Sequence, residues 1–245
     1  MILYFYDWDY KGGNADFEQA IALNPNLPIA HHLYGKNLVV EARFDEALAQ
    51  LDRALELDPY SAAISKDIGE TLFYANRIDE ALAAFERSGE LDPGSLAVYY
   101  WLMRCYELLG QQDLAVDYHL ALNRGGCWDT AGVPEAARID PDRLERVYRE
   151  LGWDAYWREW IAMLARVAEH RHIEPFRFVE AHMRVGDLGG ALDWIETAFA
   201  QRSAWIPSIH VDPLLHPLHG DARFADLMQR AGLDGYDVGK RPGAR

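Results

Sequence analysis

Apolar residues recur at spacings of three and four along the first half of the chain, and proline interrupts them at regular intervals. Leu48, Leu51 and Leu55 follow this spacing between acidic and polar neighbours, as one face of an amphipathic helix does. Asn24-Pro25 and its counterparts Asp58-Pro59 and Asp92-Pro93 each stand 34 residues apart. Proline cannot continue a helix, so each step ends one helical unit and begins the next. The pattern predicts helical hairpins of constant length.

Small residues stand where two helices of a hairpin would touch. Gly35 and Gly69 lie in the first helix of their units, and Ala47, Ala81 and Ala115 lie in the second. Large side chains at these positions would push the helices apart, because protein interiors are close-packed. The sequence therefore predicts close backbone contact within each pair.

A residue with positive φ is expected in the turn between the two helices of each pair. Asn76, Gly110 and Gly186 stand at equivalent places, and both residue types adopt positive φ at low cost. Ala42 departs from this pattern. We expect its turn to be strained or to take another form.

Residues 26–93 resemble the tetratricopeptide repeat (TPR) family, whose pattern of Gly, Tyr, Ala, Phe, Ala and Pro they fill closely. The resemblance implies an all-α protein. Its fold would be a right-handed superhelical solenoid of antiparallel helix pairs, with an irregular helical insertion and a C-terminal capping helix. Proteins of this kind bind other proteins or peptides rather than catalyse reactions.

Two further segments resemble a bacterial subset of that family. They are Tyr6-Asp7-Trp8-Asp9-Tyr10 and the stretch from Val211-Asp212-Pro213 to Asp221-Ala222-Arg223-Phe224. In this subset the TPR array forms the C-terminal half of winged-helix transcription regulators, adenylate cyclases or protein kinases. The resemblance implies a sensory or scaffold module in signalling or transcription regulation, with the effector half absent from this chain.

The repeat pattern divides the chain into five parts. A partial first repeat, with a helix from Asn14 to Leu23, is followed by three full repeats and then by a loop and irregular aromatic-rich helices that break near Gly152. A fifth repeat precedes a C-terminal cap, whose last helix has Asp221 as its N-cap, and a frayed tail. The boundaries are 1–25, 26–125, 126–172, 173–205 and 206–245.

Charge and cysteine content narrow the classes of partner. The formal net charge is −15, which opposes binding to nucleic acid phosphates. The two cysteines, Cys105 and Cys127, lack metal-type spacing and are expected to be reduced thiols of a cytoplasmic protein. No stretch reaches the roughly 20 apolar residues of a membrane span, and the N-terminus lacks the features of a secretion signal.

Aromatic and histidine residues crowd the second half of the chain and leave two interpretations open. Trp153, Tyr156, Trp157 and Trp160 have the spacing of a buried helical face, but they also suit a stacking site for a base or another flat ligand. Histidines around residues 170–182 and 210–219 resemble metal ligands in their clustering but lack helix-fixed spacing. The alternative to a scaffold is thus a metal- or small-ligand-binding protein or enzyme that uses region 153–219.

Other recognisable chemistry is missing from the sequence. Gly12-Gly13 and Gly125-Gly126 lack the residues of a phosphate-binding loop, and there is no Gly-x-Ser-x-Gly motif. Acidic pairs such as Asp45-Glu46 start helices, where they offset the helix dipole. We predict no catalytic residues, no metal and no cofactor.

The remaining candidate site is the concave groove that the first helices of a TPR array line. Mixed side chains at these positions suit an extended peptide. Three cations on successive repeats, Lys36, Lys66 and Arg104, suit an acidic side chain or a C-terminal carboxylate, although they also fit plain solvated charges. The predicted groove residues are Ile29, His32, Lys36, Val39, Lys66, Glu70, Phe73, Tyr100, Arg104 and Glu107.

The N-terminal edge offers a second contact surface. The partial repeat exposes apolar residues between Met1 and Trp8, and solenoid ends need polar caps. These residues either pack on the first repeat or bind something, and self-association through this edge is one such outcome.

Overall fold

A computed structural model describes residues 10–126 and 132–235, and all regular secondary structure within these ranges is helical. The N-terminal motif and edge before Tyr10, the cysteine at position 127 and the tail after Gly235 lie outside the described residues. Eleven α-helices are described, with bounds α1 Tyr10–Leu23, α2 Pro28–Val40, α3 Phe44–Leu57, α4 Ala62–Tyr74, α5 Ile78–Leu91, α6 Leu96–Leu108, α7 Gln112–Arg124, α8 Pro141–Ala168, α9 Phe176–Arg184, α10 Leu188–Ala200 and α11 Ala222–Arg230.

The helices pack as adjacent pairs, which confirms the all-α solenoid. The pairs are α2 with α3, α4 with α5, α6 with α7, and α9 with α10. Helix α4 also contacts both α2 and α6, and these three helices line the inner, concave side. None of the described helices is long and apolar enough to cross a membrane.

The small residues lie where two helices of a pair approach. A Cβ on Gly35 would come within 2.7 Å of Leu51 Cγ, and one on Gly69 within 2.6 Å of Phe85 Cε1. Ala47, like its counterparts in the next two pairs, is fully buried. The contacts predicted from residue size are confirmed.

The turn residues, including Ala42, adopt the left-handed backbone conformation. Asn76 has φ 60°, and Gly110 and Gly186 both have φ 71°. Ala42 adopts the same region with φ 56°, where its Cβ crowds the following carbonyl oxygen. The turn at Ala42 is therefore the strained version of a common turn.

The aromatic insertion forms part of the core. Helix α8 is interrupted at Gly152, whose φ of 81° and ψ of −168° are not helical, as the broken pattern predicted. Tyr156, Trp157 and Trp160 are all buried, and they surround the ring of His119 on α7. Packing, one of the two interpretations of this group, explains these positions.

The C-terminal segment, residues 203–219, folds back across the concave side. It contains two 3-10 turns, Ile206–Ser208 and Pro213–Leu218. His210 Nε2 lies 2.8 Å from the carbonyl oxygen of Val40, which is 170 residues earlier in the chain. Trp205 packs on the rings of two residues of α6 and stacks on Phe176 at 5.3 Å. The segment thus joins the first described repeats to the last.

Helix α11 closes the end of the fold. Asp221 caps it by accepting a hydrogen bond of 2.7 Å from the backbone N–H of Arg223, which satisfies one of the free amides of the first turn. Phe224 and Leu227 face inward and are buried. These are the roles that the sequence predicted for the last helix.

Candidate functional site

One buried carboxylate organises the first part of the concave face. Asp67 on α4 accepts from Lys36 Nζ at 3.0 Å and lies 2.7 Å from His32 Nε2. Lys66 Nζ contacts the other oxygen of Asp67 and lies 3.3 Å from Glu70 Oε2. Residues from two successive repeats therefore meet at a single charge.

The pKa shifts at this cluster follow from its geometry. Burial alone would raise the pKa of Asp67, but the hydrogen bond from His32 and the two lysines hold it well below its usual value. Burial lowers the pKa of Lys36 and Lys66, yet the carboxylates of Glu70 and Asp67 outweigh it, so both pKa values are raised. Asp67 and the two lysines are therefore ionised around neutral pH.

Arg104, the third predicted groove cation, is engaged within the chain. It is 1% exposed, and its Nη2 lies 2.5 Å from Asp212 Oδ1 in the C-terminal segment. Its Nε lies 3.7 Å from Glu180 Oε1, and its guanidinium lies 4.7 Å from the centre of the Phe73 ring. Burial lowers the pKa of Arg104, but Asp212 and other neighbours raise it well above its usual value. Arg104 already binds a carboxylate, and that carboxylate belongs to this chain.

Helix α9 supplies a second charged layer that sequence reasoning missed. Arg184 donates three hydrogen bonds to Glu107, two from Nε at 2.9 and 3.0 Å and one from Nη2 at 2.7 Å. Tyr100 donates to Glu180 Oε1 at 2.8 Å. Glu180 and Arg184 are four residues apart on one helical face, which was the signal available in the sequence. Nothing in it showed that this face meets α6.

Two adjoining cavities open on the concave face between these layers. The larger has a volume of about 490 Å³, and we call it the aromatic cavity. It is lined by Lys66, Glu70, Leu96, Ala97, Tyr100, Trp101, Met103, His119, Leu122, Asn123, Trp157, Trp160, Glu174, Arg177, Glu180, Arg184 and Trp205.

The second, or small, cavity has a volume of about 250 Å³. Glu70 and Trp205 line both cavities and so stand between them. The small cavity is lined by Lys36, Val39, Val40, Asp67, Glu70, Thr71, Tyr74, Ala204, Trp205, Pro207 and Ser208. The volume of the aromatic cavity is typical of ligand-binding sites, and that of the small cavity lies below the usual range.

The ten predicted groove residues separate into three groups. Lys36, Val39, Lys66, Glu70 and Tyr100 line the two cavities. The side chains of His32, Phe73, Arg104 and Glu107 instead support the wall through the contacts described above or are buried beneath it. Ile29 is 51% exposed and lines neither cavity.

The histidines near the C-terminus have structural partners. His210 contacts the Val40 carbonyl, and His216 and His219 pack ring against ring at 4.9 Å. Among the described residues, no group of three or more His, Cys, Asp or Glu side chains is placed to hold a metal ion. These positions give no support to the metal-binding alternative.

His119, in the wall of the aromatic cavity, makes the free energy of unfolding depend on pH. Burial lowers its pKa well below 6.5, and Arg184 and Arg177 lower it further. The folded chain keeps His119 neutral, whereas the unfolded chain binds a proton below pH 6.5. Stability from this group is complete above pH 6.5 and falls as the pH decreases, by up to about 1.4 kcal/mol per pH unit.

We expect His119→Gln to reduce the slope of unfolding free energy against pH between pH 6.5 and 5. Urea denaturation across this range measures the slope. The matched control is His172→Gln, whose side chain is exposed. Equal slopes for the wild type and the His119 variant would contradict a buried neutral imidazole.

Comparison with known proteins agrees with the repeat geometry. The family model described as "Tetratricopeptide repeat" matches residues 41–95, which include α3, α4 and α5. The interval from Asp58-Pro59 to Asp92-Pro93 and the close approach of Gly69 to Phe85 lie in this same stretch. The chain contains tetratricopeptide repeats. No curated protein matches the sequence.

Two solved structures are similar to this TPR chain. The Cut9–Hcn1 hetero-tetramer of the APC/C gives a TM-score of 0.57 at 13% identity, covering 94% of this chain and 47% of the other. This chain therefore spans about half the length of that protein, and the likeness concerns the fold alone. YrrB, described as a TPR protein with an unusual peptide-binding site, gives 0.43 at 20% identity, covering 79% of this chain and 96% of YrrB.

Proposed function

We propose that this TPR array is a non-catalytic module that binds an extended peptide segment of another protein along its concave face. The observation that carries the proposal is the pair of adjoining cavities between α4, α6, α9 and the C-terminal segment. Their walls combine apolar rings with donors and acceptors of both signs. Such a wall suits a peptide, which offers side chains together with amide N–H and C=O groups.

The charges on this face support a partner that carries a carboxylate. The ion pairs of the concave face join five cations with five carboxylates, so these groups balance in charge, whereas the chain as a whole has a net charge of −15. An acidic peptide is therefore repelled least at this face. Lys36 and Lys66 are 33% and 21% exposed and share the buried Asp67. With Arg104 occupied by Asp212, we propose that these two lysines receive an acidic side chain or a C-terminal carboxylate.

We further propose that the module serves a regulatory system, in which peptide binding reports a signal to an effector. The basis is the resemblance of the Val211-Asp212-Pro213 segment to bacterial regulators. In this chain Asp212 joins the C-terminal segment to the middle of the array through Arg104. A peptide in the cavities would contact both parts, since Trp205 lines both cavities.

Selection of peptides from a phage-displayed random library on the immobilised protein tests the peptide-binding function. We expect enriched sequences with micromolar dissociation constants, about −8 kcal/mol, when measured by calorimetry. Lys66→Gln should weaken binding about tenfold, because a charge-assisted contact is lost. Arg53→Gln, on an exposed side chain of α3, is the matched control and should bind as the wild type does.

Two further measurements complete this test. Replacing the carboxylate of an enriched peptide by an amide should reproduce the loss caused by Lys66→Gln. Failure to enrich any peptide would contradict the peptide-binding function. Equal affinity for the carboxylate and amide forms would contradict the role of the lysines while leaving peptide binding intact.

A further inference from the structure

We infer that the aromatic cavity is the subsite for one large, uncharged aromatic side chain of the bound peptide, so that the partner class is a peptide with an aromatic anchor. The inference rests on the proposed peptide-binding function and specifies its main determinant. The cavity volume of about 490 Å³ far exceeds the space that a bridging water needs. It lies within the range of sites that enclose organic groups.

The wall chemistry favours an aromatic ring over an aliphatic side chain. Six rings line the cavity: Tyr100, Trp101, His119, Trp157, Trp160 and Trp205. Aromatic rings attract one another in stacked and edge-to-face arrangements beyond the gain from apolar burial. A guest ring would meet partners of this kind on several sides, contributed by α6, α7, α8 and the C-terminal segment.

The rings of the wall are fixed by their own contacts. Trp101 stacks on Phe85 with centroids 5.8 Å apart and an interplanar angle of 6°. Arg184 lies 4.4 Å from the centre of the Trp157 ring, and His119 Nδ1 lies 2.5 Å from the Tyr156 hydroxyl. The wall is thus formed before a ligand enters, which reduces the ordering cost of binding.

The interior charges exclude a charged anchor. Arg184 is bound to Glu107, and Glu180 accepts from Tyr100. A Lys, Arg, Asp or Glu side chain entering the cavity would lose its water and meet charges that already have partners. The partly exposed Lys66, Glu70 and Arg177 stand in the same wall, where they can meet the peptide backbone or a neighbouring carboxylate. The aromatic cavity therefore favours an uncharged aromatic side chain over a charged one.

A blocking substitution tests the subsite without removing a native contact. Ala97 on α6 lines the cavity and is exposed, so Ala97→Trp should place a ring in the cavity and weaken the enriched peptides at least tenfold. Ala49→Trp makes the same change at an exposed position of α3 and should leave affinity unchanged. In the peptides, changing the aromatic residue to Leu should weaken binding about three- to tenfold.

A direct probe is N-acetyl-L-tryptophanamide, a neutral mimic of the anchor, with N-acetyl-L-leucinamide as its control. Met103 is buried in the cavity wall, and its ¹³C-labelled methyl group, assigned through Met103→Leu, reports on occupancy by NMR. We expect the tryptophan compound at about millimolar concentration to shift this resonance. The leucine compound and the Ala97→Trp variant should give no such shift.

The outcomes separate this inference from the general function. Enriched peptides that bind Ala97→Trp as well as the wild type, with no shift at Met103, would overturn the aromatic subsite and leave peptide binding standing. An unchanged Met103 resonance with both compounds also opposes it. A Met103 shift without any enriched peptide would overturn the peptide anchor and the proposed function together, and would assign the cavity to small aromatic molecules.

Discussion

Arg104→Met is expected to lower the free energy of unfolding by about 3–5 kcal/mol, the loss typical of breaking a buried ion pair from one side. Arg104 is 1% exposed, and so is its partner Asp212, while Glu180 is 4% exposed. Removing the guanidinium leaves the buried Asp212 without its cation and takes one of three neighbouring cations away from the buried Glu180. Neither can regain water unless the C-terminal segment moves away from α6.

Urea denaturation followed by far-UV circular dichroism and by tryptophan fluorescence measures this loss. Arg53→Met is the matched control, because Arg53 pairs with Glu56 on an exposed face of α3. Exposed pairs of this kind contribute roughly 0–1 kcal/mol. Adding Asp212→Asn to Arg104→Met should recover part of the stability by removing one unpaired charge. A loss at Arg104 no larger than at Arg53 would contradict the structural role of the pair.

Arg104 also shows how far the groove could be predicted from the sequence. The repeat register placed it on the first helix of its pair, where the structure has it, and the sequence predicted a carboxylate of a bound peptide as its partner. The sequence did not reveal that the carboxylate is Asp212, 108 residues away. Contacts at such separations depend on how strongly the stacked pairs curve, and local periodicity carries no measure of that curvature.

The elements themselves were predictable for a local reason. Helix ends are set by Pro steps, by turn residues such as Asn76 and by the break at Gly152, each of which acts on its own backbone. The cavities were not predictable in this way. Arg177 and Trp205 line the aromatic cavity from α9 and the C-terminal segment, and no repeat pattern in the sequence places these two residues opposite α4 and α6.

Phe85→Ala is expected to cost about 3–5 kcal/mol, since the ring is completely buried and its removal leaves a cavity in the core. The ring lies between Gly69 of the facing helix and the indole of Trp101, on which it stacks. A Cβ at Gly69 would lie 2.6–2.9 Å from three atoms of this ring. Because Trp101 blocks the other side, the ring has no free direction in which to move.

Gly69→Ala should therefore have opposite effects in two backgrounds. In the wild type we expect a loss of about 1–3 kcal/mol from overpacking, even though alanine favours a helix over glycine by roughly 0.5–1 kcal/mol. In Phe85→Ala the clash is gone, so the same change should stabilise the protein by about that helix preference. A double-mutant cycle from urea denaturation gives the coupling between the two positions.

Gly89→Ala is the matched control for this cycle. Gly89 lies in α5, and a Cβ there would meet only Val98 Cγ1, at an ordinary distance of 3.6 Å. We expect this variant to be slightly more stable than the wild type, with or without Phe85. If Gly69→Ala instead behaves as Gly89→Ala does, the close approach of α4 and α5 is not required. The 34-residue spacing of small residues would then lack the packing cause assigned to it. The inner helices would also have room to shift, which would alter the width of the cavities between them.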